Sequence, residues 1–237
     1  MIRLSTRRGA RGASIVEFAI VFPLAVLFVL SLIQVGFLHM AKLTLNQATF
    51  MAARAGAMNN ARRDVMDAVL VRGLSPFYQD STIADEKTRL TKAFLAAQLD
   101  KAMPWGAKID ALSPSKEAFD DFGVKDPKTK VVYIPNDNLD WRTLGVGAKS
   151  KVNIRDANLL KIRVTYGYEM KVPLIAGVIG RTMCGGSIGV EAFGNVSLLE
   201  SLYGIRHPIL CAQYFNRGRI PIESVAIVEM QSPAHKP

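Results

Sequence analysis

One carboxylate stands where chemistry would be least expected. Glu17 follows Ala13-Ser14-Ile15-Val16 and precedes 23 residues, Phe18 to Met40, without a formal charge when His39 is neutral. An acid beside lipid is costly unless a cation pairs with it, and ionisable residues in membrane segments mark function by default. Two readings are open for Glu17 itself. It either meets a cation inside an apolar assembly or stays at the headgroup level near Arg11.

The other residues that could carry chemistry are weaker. Gly185-Gly186-Ser187-Ile188-Gly189 matches the G-x-S-x-G string of a nucleophile elbow, with Glu191, Glu200, His207 and His235 downstream. An elbow needs a helix directly after the serine, whereas Ile188 to Phe193 reads as strand, so hydrolysis is not expected. Gly145-Val146-Gly147-Ala148-Lys149-Ser150 has the composition of a phosphate loop but not its spacing, lacking Gly directly before Lys. The three His (39, 207, 235) lie far apart and the two Cys have no CxxC spacing, so neither a metal nor any other cofactor is predicted. The chain reads as a non-enzyme.

Length and charge narrow the setting. The 237 residues are 49% hydrophobic and carry a net charge of +10, which suits one folded domain plus an unusually apolar segment and excludes disorder, collagen and a dense disulfide scaffold. Four of the thirty basic residues, Arg3, Arg7, Arg8 and Arg11, fall in the first twelve with no acid among them, leaving 26 basic against 20 acidic beyond. That excess is mild and scattered, so nucleic-acid binding is not expected. The run from Phe18 to Met40 is apolar all round, unlike a core helix with one polar face. At about 1.5 Å per residue it crosses a hydrocarbon core of roughly 30 Å. It is too long for a cleaved secretory signal, and the small-residue string Ala55-Gly56-Ala57 lies well past it. The leading Arg cluster places the N-terminus in the cytoplasm and the rest outside.

Taken together, Arg7-Arg8-Gly9-Ala10-Arg11-Gly12, then Ala13-Ser14-Ile15-Val16-Glu17-Phe18, then a long apolar helix resembles the class III signal of the type IV pilin superfamily. More narrowly, the string from Arg8 to Ala57 resembles the TadE-like pseudopilins of the tight-adherence (Flp-type) pilus system. The matching features are the basic Gly-rich leader, Val16-Glu17-Phe18-Ala19, Pro23 early in the span, and Ala52-Ala53-Arg54-Ala55-Gly56. Val164 to Tyr168, Arg219 to Ile222 and Met230-Gln231-Ser232 look like that family's terminal strands, while residues 75–150 match nothing known.

The resemblance implies a leader, 1–12, cut on the cytoplasmic side after Gly12 by a prepilin peptidase. Ala13 is then the new N-terminus, and the Glu17 carboxylate is available to pair with a neighbour's α-amine. Phe18, where many major pilins have Tyr, and the length both point to a minor component. Its partners would be other pilins and pseudopilins and the inner-membrane assembly platform. Its role would be assembly of an adhesive pilus, and its place the bacterial inner membrane with a periplasmic C-terminal domain, entering a cell-surface pilus. The alternative is an unprocessed single-span protein presenting a periplasmic binding domain.

Beyond the span, good helix formers predict an N-terminal helix over 13–72, with Ala48, Ala52 and Gly56 forming a small-residue row that allows another backbone close approach. Ser75-Pro76 and Asp80 to Thr82 mark a break. A second helix is expected from about Ile83 to Met103, with Leu90, Phe94, Leu95 and Leu99 as its apolar face. Residues 104–158 look loop-rich, with a short strand at Lys130–Ile134. Leu160, Ile162, Val164, Tyr166 and Tyr168 alternate with Lys161, Arg163, Thr165 and Gly167, the clearest strand in the chain. Further strands are expected at Ser187–Leu198 and Ile222–Met230. Helices first and strands later predict an α+β fold, with residues 73–237 forming an extracytoplasmic domain built on an antiparallel sheet. Cys184 and Cys211, the only cysteines, bracket 26 residues. In the oxidising periplasm they either form a disulfide, worth about 3.5 kcal/mol in the chain-entropy model, or remain buried thiols.

Overall fold

The computed structural model of the protein describes residues 10–142, 145–172, 214 and 218–236, with side chains from residue 15 onward. The Ser187–Leu198 strand, the Gly185–Gly189 string and both cysteines lie outside the described residues.

The fold is α+β. A single helix, α1 (Ala10–Met58), runs through Pro23 without ending. Its two halves differ in surroundings. Residues 15–33 have no fully buried side chain, whereas Gln34, Leu38, Ala41, Leu45, Ala48 and Ala52 are buried. Those six alternate in steps of four and three, the spacing that keeps one helix face against a partner. The partner is a three-stranded antiparallel sheet of order β1-β4-β5, built from β1 (Lys108–Ser113), β4 (Leu159–Glu169) and β5 (Arg219–Glu229).

Strands β4 and β5 pair through eleven residues in unbroken register, from Leu159 opposite Glu229 to Glu169 opposite Arg219. The predicted alternation sets the inner face. Leu160, Ile162, Val164, Tyr166 and Tyr168 are all buried, as are Ile220 and Ile222 of β5. Burying each such side chain contributes about 1.5–3 kcal/mol, which is why the helix–sheet contact dominates the core. Pro221 cannot donate to a ladder and sits opposite Gly167, as suits a strand with no partner on its far side among the described residues.

Three expectations are corrected. First, the N-terminal helix does not reach Arg72. It ends at Met58, and α2 (Arg63–Leu74) folds back along it. The chain reverses through Asn60 and Ala61, both at positive φ (58° and 57°), and the Ala61 N–H donates to the Gly56 carbonyl. The buried Ala57 carbonyl at the helix end accepts from the backbone N–H groups of Gln231 and Ser232, each at 3.0 Å, so the C-terminal segment caps the first helix.

Second, α3 (Glu86–Ala102) forms within the expected range but turns its other face inward. Ala93 and Ala97 are buried while Leu90, Leu95 and Leu99 are exposed. The small side is the one that lets α3 lie close to α2, where Lys101 bridges Asp67 at 3.0 Å, and Asp100 on the same side joins a polar cluster described below. Third, 104–158 is loop-rich as expected, but its loops connect more than the one short strand expected at Lys130–Ile134. It holds β1, α4 (Lys116–Phe122), and a small second sheet of β2 (Val124–Lys125) and β3 (Val132–Ile134) closed by β6 (Ala234–His235), with α5 (Ile154–Ala157) leading into β4.

The small-residue row serves contacts within the chain. A Cβ on Gly73 of α2 would stand 2.6 Å from the Ala48 Cβ and 2.8 Å from its Cα, and one on Gly56 would meet the Met66 sulfur at 2.6 Å. Gly73→Ala is therefore expected to destabilise the protein by about 1–3 kcal/mol through overpacking, although alanine is the better helix former by about 1 kcal/mol. Urea unfolding of the detergent-solubilised chain checks the sign: a gain in stability would mean that α1 and α2 are not in backbone contact.

Candidate functional site

The arrangement of α1 is the most unusual feature of the molecule. From Ile15 to Ile33, 19 residues at 1.5 Å each extend about 28 Å, close to a bilayer's hydrocarbon thickness. Among the described residues this helix alone is long and apolar enough to cross a membrane, and its most apolar 18-residue window is 0% buried. A core helix would be covered; this one is not, which points to membrane anchoring. The expected span of 18–40 is thus divided by the fold, since from Gln34 onward one face belongs to the domain. The Gln34 Oε1 accepts from the Val172 N–H at 2.9 Å and ties the end of β4 to the point where α1 leaves the domain.

The proposed cleavage residues Gly12 and Ala13 lie in the opening turns of α1. Glu17 lies one turn further along, exposed, and is not ion-paired with any described residue. The helix positions all three residues at the end farthest from the domain, where another chain can reach them.

Beyond the span, α1 keeps exposed apolar residues on its outer face, interrupted there by the exposed Gln47 and Arg54. Met40 is 65% exposed, Leu43 66% and Phe50 52%, with Met51 and Met58 continuing the line. These residues lie away from the buried row at Leu38, Ala41, Leu45, Ala48 and Ala52. In the sequence these residues are not separable from the buried row, because both are apolar positions interleaved with Lys42, Asn46, Gln47 and Arg54, and only the sheet's claim on one face distinguishes the other. Lys42, between the two faces, is half-buried and reaches the Glu223 carbonyl. Burial pushes its ammonium below the usual range, against the pull of the Glu223 carboxylate.

At the foot of the domain a polar cluster crosses four elements. The Arg219 guanidinium donates to Asp100 at 2.7 Å and 3.0 Å and to the Gly167 carbonyl at 2.9 Å. The Tyr78 hydroxyl donates to Asp100, and the Tyr78 and Tyr166 hydroxyls lie 3.0 Å apart. Phe77 stacks on Tyr166 with ring centroids 5.4 Å apart. Burial pushes the Tyr166 hydroxyl up to about 12 and Tyr78 further still, so both stay neutral donors. No sequence signal joins Asp100 to Arg219, which are 119 positions apart. The cluster locks α3 and the 3₁₀ turn Ser75–Tyr78 onto the sheet.

The phosphate-loop candidate has an ordinary explanation. The Lys149 and Ser150 backbone N–H groups, the ones that would cradle an anion, already donate to the Asp121 carboxylate at 3.0 Å and 2.7 Å. His235 sits in β6, its N–H on the Asn60 carbonyl. Ser187, Glu191, Glu200 and His207 lie outside the described residues.

Residues 12–54 match the family model described as TadE-like protein. The matched segment begins at Gly12 and covers Glu17, the apolar run and Ala48 and Ala52 of the small-residue row, and over it the chain is similar to that family. That family belongs to the tight-adherence pilus system. No curated protein and no solved structure matches the chain.

Proposed function

We propose that this chain, TadE-like over residues 12–54, is a minor pilin-like subunit that is cut after Gly12 and joins a tight-adherence pilus, supporting surface adhesion, through α1. The domain beyond residue 34 stands on the periplasmic side, where Cys184 and Cys211 form a disulfide. The leader stays cytoplasmic until the prepilin peptidase removes it.

The observation that carries this reading is the outer stripe of α1. A plain single-span anchor needs apolar residues only within the bilayer. Here Leu43, Phe50 and Met51 are exposed on the far side of residues already packed in the domain, about 15 Å and more beyond Ile33 along the helix. Covering each would contribute about 1.5–3 kcal/mol, and a helix laid alongside α1 covers them together with Gln47 and Arg54. Glu17 lies on the same helix, toward its other end.

The test uses residues that the fold does not need. Leu43→Glu combined with Phe50→Glu is expected to leave membrane insertion and thermal unfolding unchanged, because both side chains face outward, while abolishing co-purification with the other pilins. Wild-type recovery of pilins with the double variant would instead support a lone membrane anchor.

A further inference from the structure

Above the span, the outer face of α1 repeats every seven residues. Met40, Gln47 and Arg54 stand seven positions apart, as do Leu43 and Phe50, and the two rows alternate in steps of three and four. All five side chains are exposed. This is the spacing with which one helix receives another in a left-handed seam, each side chain entering a hole on the facing helix. The buried row of α1 holds the opposite face against the sheet, so the seam looks away from the domain.

Two of the five positions are polar, and they decide which helix fits. A neighbour that leaves the same membrane runs parallel to α1. In a parallel pair, residues of the first row meet their counterparts, and a polar group there fixes register and partner at some cost in stability. The Arg54 guanidinium pairs with no described carboxylate, and its charge is always present. A second copy in register sets Arg54 against Arg54, two like charges in one seam. Shifted by one, two or three repeats, Arg54 meets Gln47, Met40 or Ile33 of that copy, none of them an acid. The single acid of α1, Glu17, lies 37 positions lower, about 55 Å away. Asp64, just beyond the helix, is held by Arg62.

We propose that this face of α1 takes the helix of a different chain, one with Asp or Glu level with Arg54, and that it excludes a second copy of this one. Arg54 offers such a carboxylate two parallel N–H donors, and Met40, Leu43 and Phe50 supply the apolar contact below. The inference rests on reading α1 as the packing helix of a pilus subunit. It makes this chain a subunit that sits singly beside an unlike neighbour and does not stack on itself.

The full chain is expressed with its companion pilins and a benzophenone amino acid in place of Phe50, irradiated, and the adduct identified by mass to chain and residue. The expected adduct joins position 50 to a different chain, about one helical turn before an Asp or Glu of its helix. Arg54→Glu is expected to lower its yield about thirtyfold, the low end for unpairing a buried charge pair, and Arg54→Lys, which keeps the charge, by much less. Replacing the neighbour's carboxylate by Lys in the Arg54→Glu background is expected to restore the adduct. Thermal unfolding stays as in the wild type throughout, because the Arg54 side chain is exposed. An adduct to a second copy, a neighbour without an acid at that level, a yield indifferent to Arg54→Glu, or a charge swap that restores nothing each overturns the proposal while leaving α1 a packing helix. No adduct to any chain overturns both.

Discussion

Glu17→Ala is expected to insert into the membrane and be processed as the wild type is, yet recover less than about a hundredth of the wild-type amount of partner pilins on co-purification. Glu17 is exposed on α1 and pairs with no described residue of its own chain, so the substitution removes nothing that the fold uses. In an assembly of packed apolar helices the α-amine of a neighbouring, processed chain is left buried and unpaired. Breaking one half of a buried ion pair costs about 3–5 kcal/mol, and each 1.4 kcal/mol is tenfold in an equilibrium, so a hundredfold loss is the lower end. A Glu17 held at the headgroup level would instead be replaceable at little cost. Glu17→Gln sharpens the result: it keeps size and polarity, loses the charge, and should fail nearly as badly if the partner is a cation.

Gly12→Arg is expected to leave the full-length precursor and no assembled subunit. A peptidase that cuts after residue 12 must seat that residue's Cα against its own backbone, and glycine presents no side chain to exclude. Glycine also weakens the first turn of a helix by about 1 kcal/mol relative to alanine, which eases the opening of α1 at the point where its backbone must become extended for cleavage. An arginine adds bulk and a charge and removes both advantages. Electrophoretic mobility and intact mass of the variant check this directly, and normal cleavage would remove Gly12 from the account.

Much of this was legible in the amino-acid sequence, for reasons that can be named. The strand at Leu160 to Tyr168 was visible because one face is wholly apolar and the other is not; its partner was placed at 222–230 as an apolar run, though β5 begins three residues earlier, at Arg219. The apolar run was visible by length alone. What the sequence concealed were the choices between two apolar or two polar faces. In α3, Leu90, Leu95 and Leu99 looked like the buried side, but two alanines allow closer approach and Asp100 and Lys101 supply specific partners. The break after Met58 has no Pro and no Gly at the turn itself; Asn60 and Ala61 adopt positive φ because the C-terminal segment caps the helix there. Strand β1 was missed because Lys108-Ile109-Asp110-Ala111-Leu112-Ser113 contains one fully buried apolar residue, Ile109, and is held as an edge by β4. At the candidate site, the roles of Gly12, Ala13 and Glu17 come from the family resemblance, while the exposed outer face of α1 required the sheet to be in place.

The measurement that bears most directly on the central claim is the intact mass of the wild-type chain isolated from membranes of cells with and without a prepilin peptidase. The account predicts loss of Met1 to Gly12, with Ala13 as the N-terminal residue, only where the peptidase is present. A chain that retains its leader in both would contradict it, and would make α1 the anchor of a single-span membrane protein rather than the packing helix of a pilus subunit.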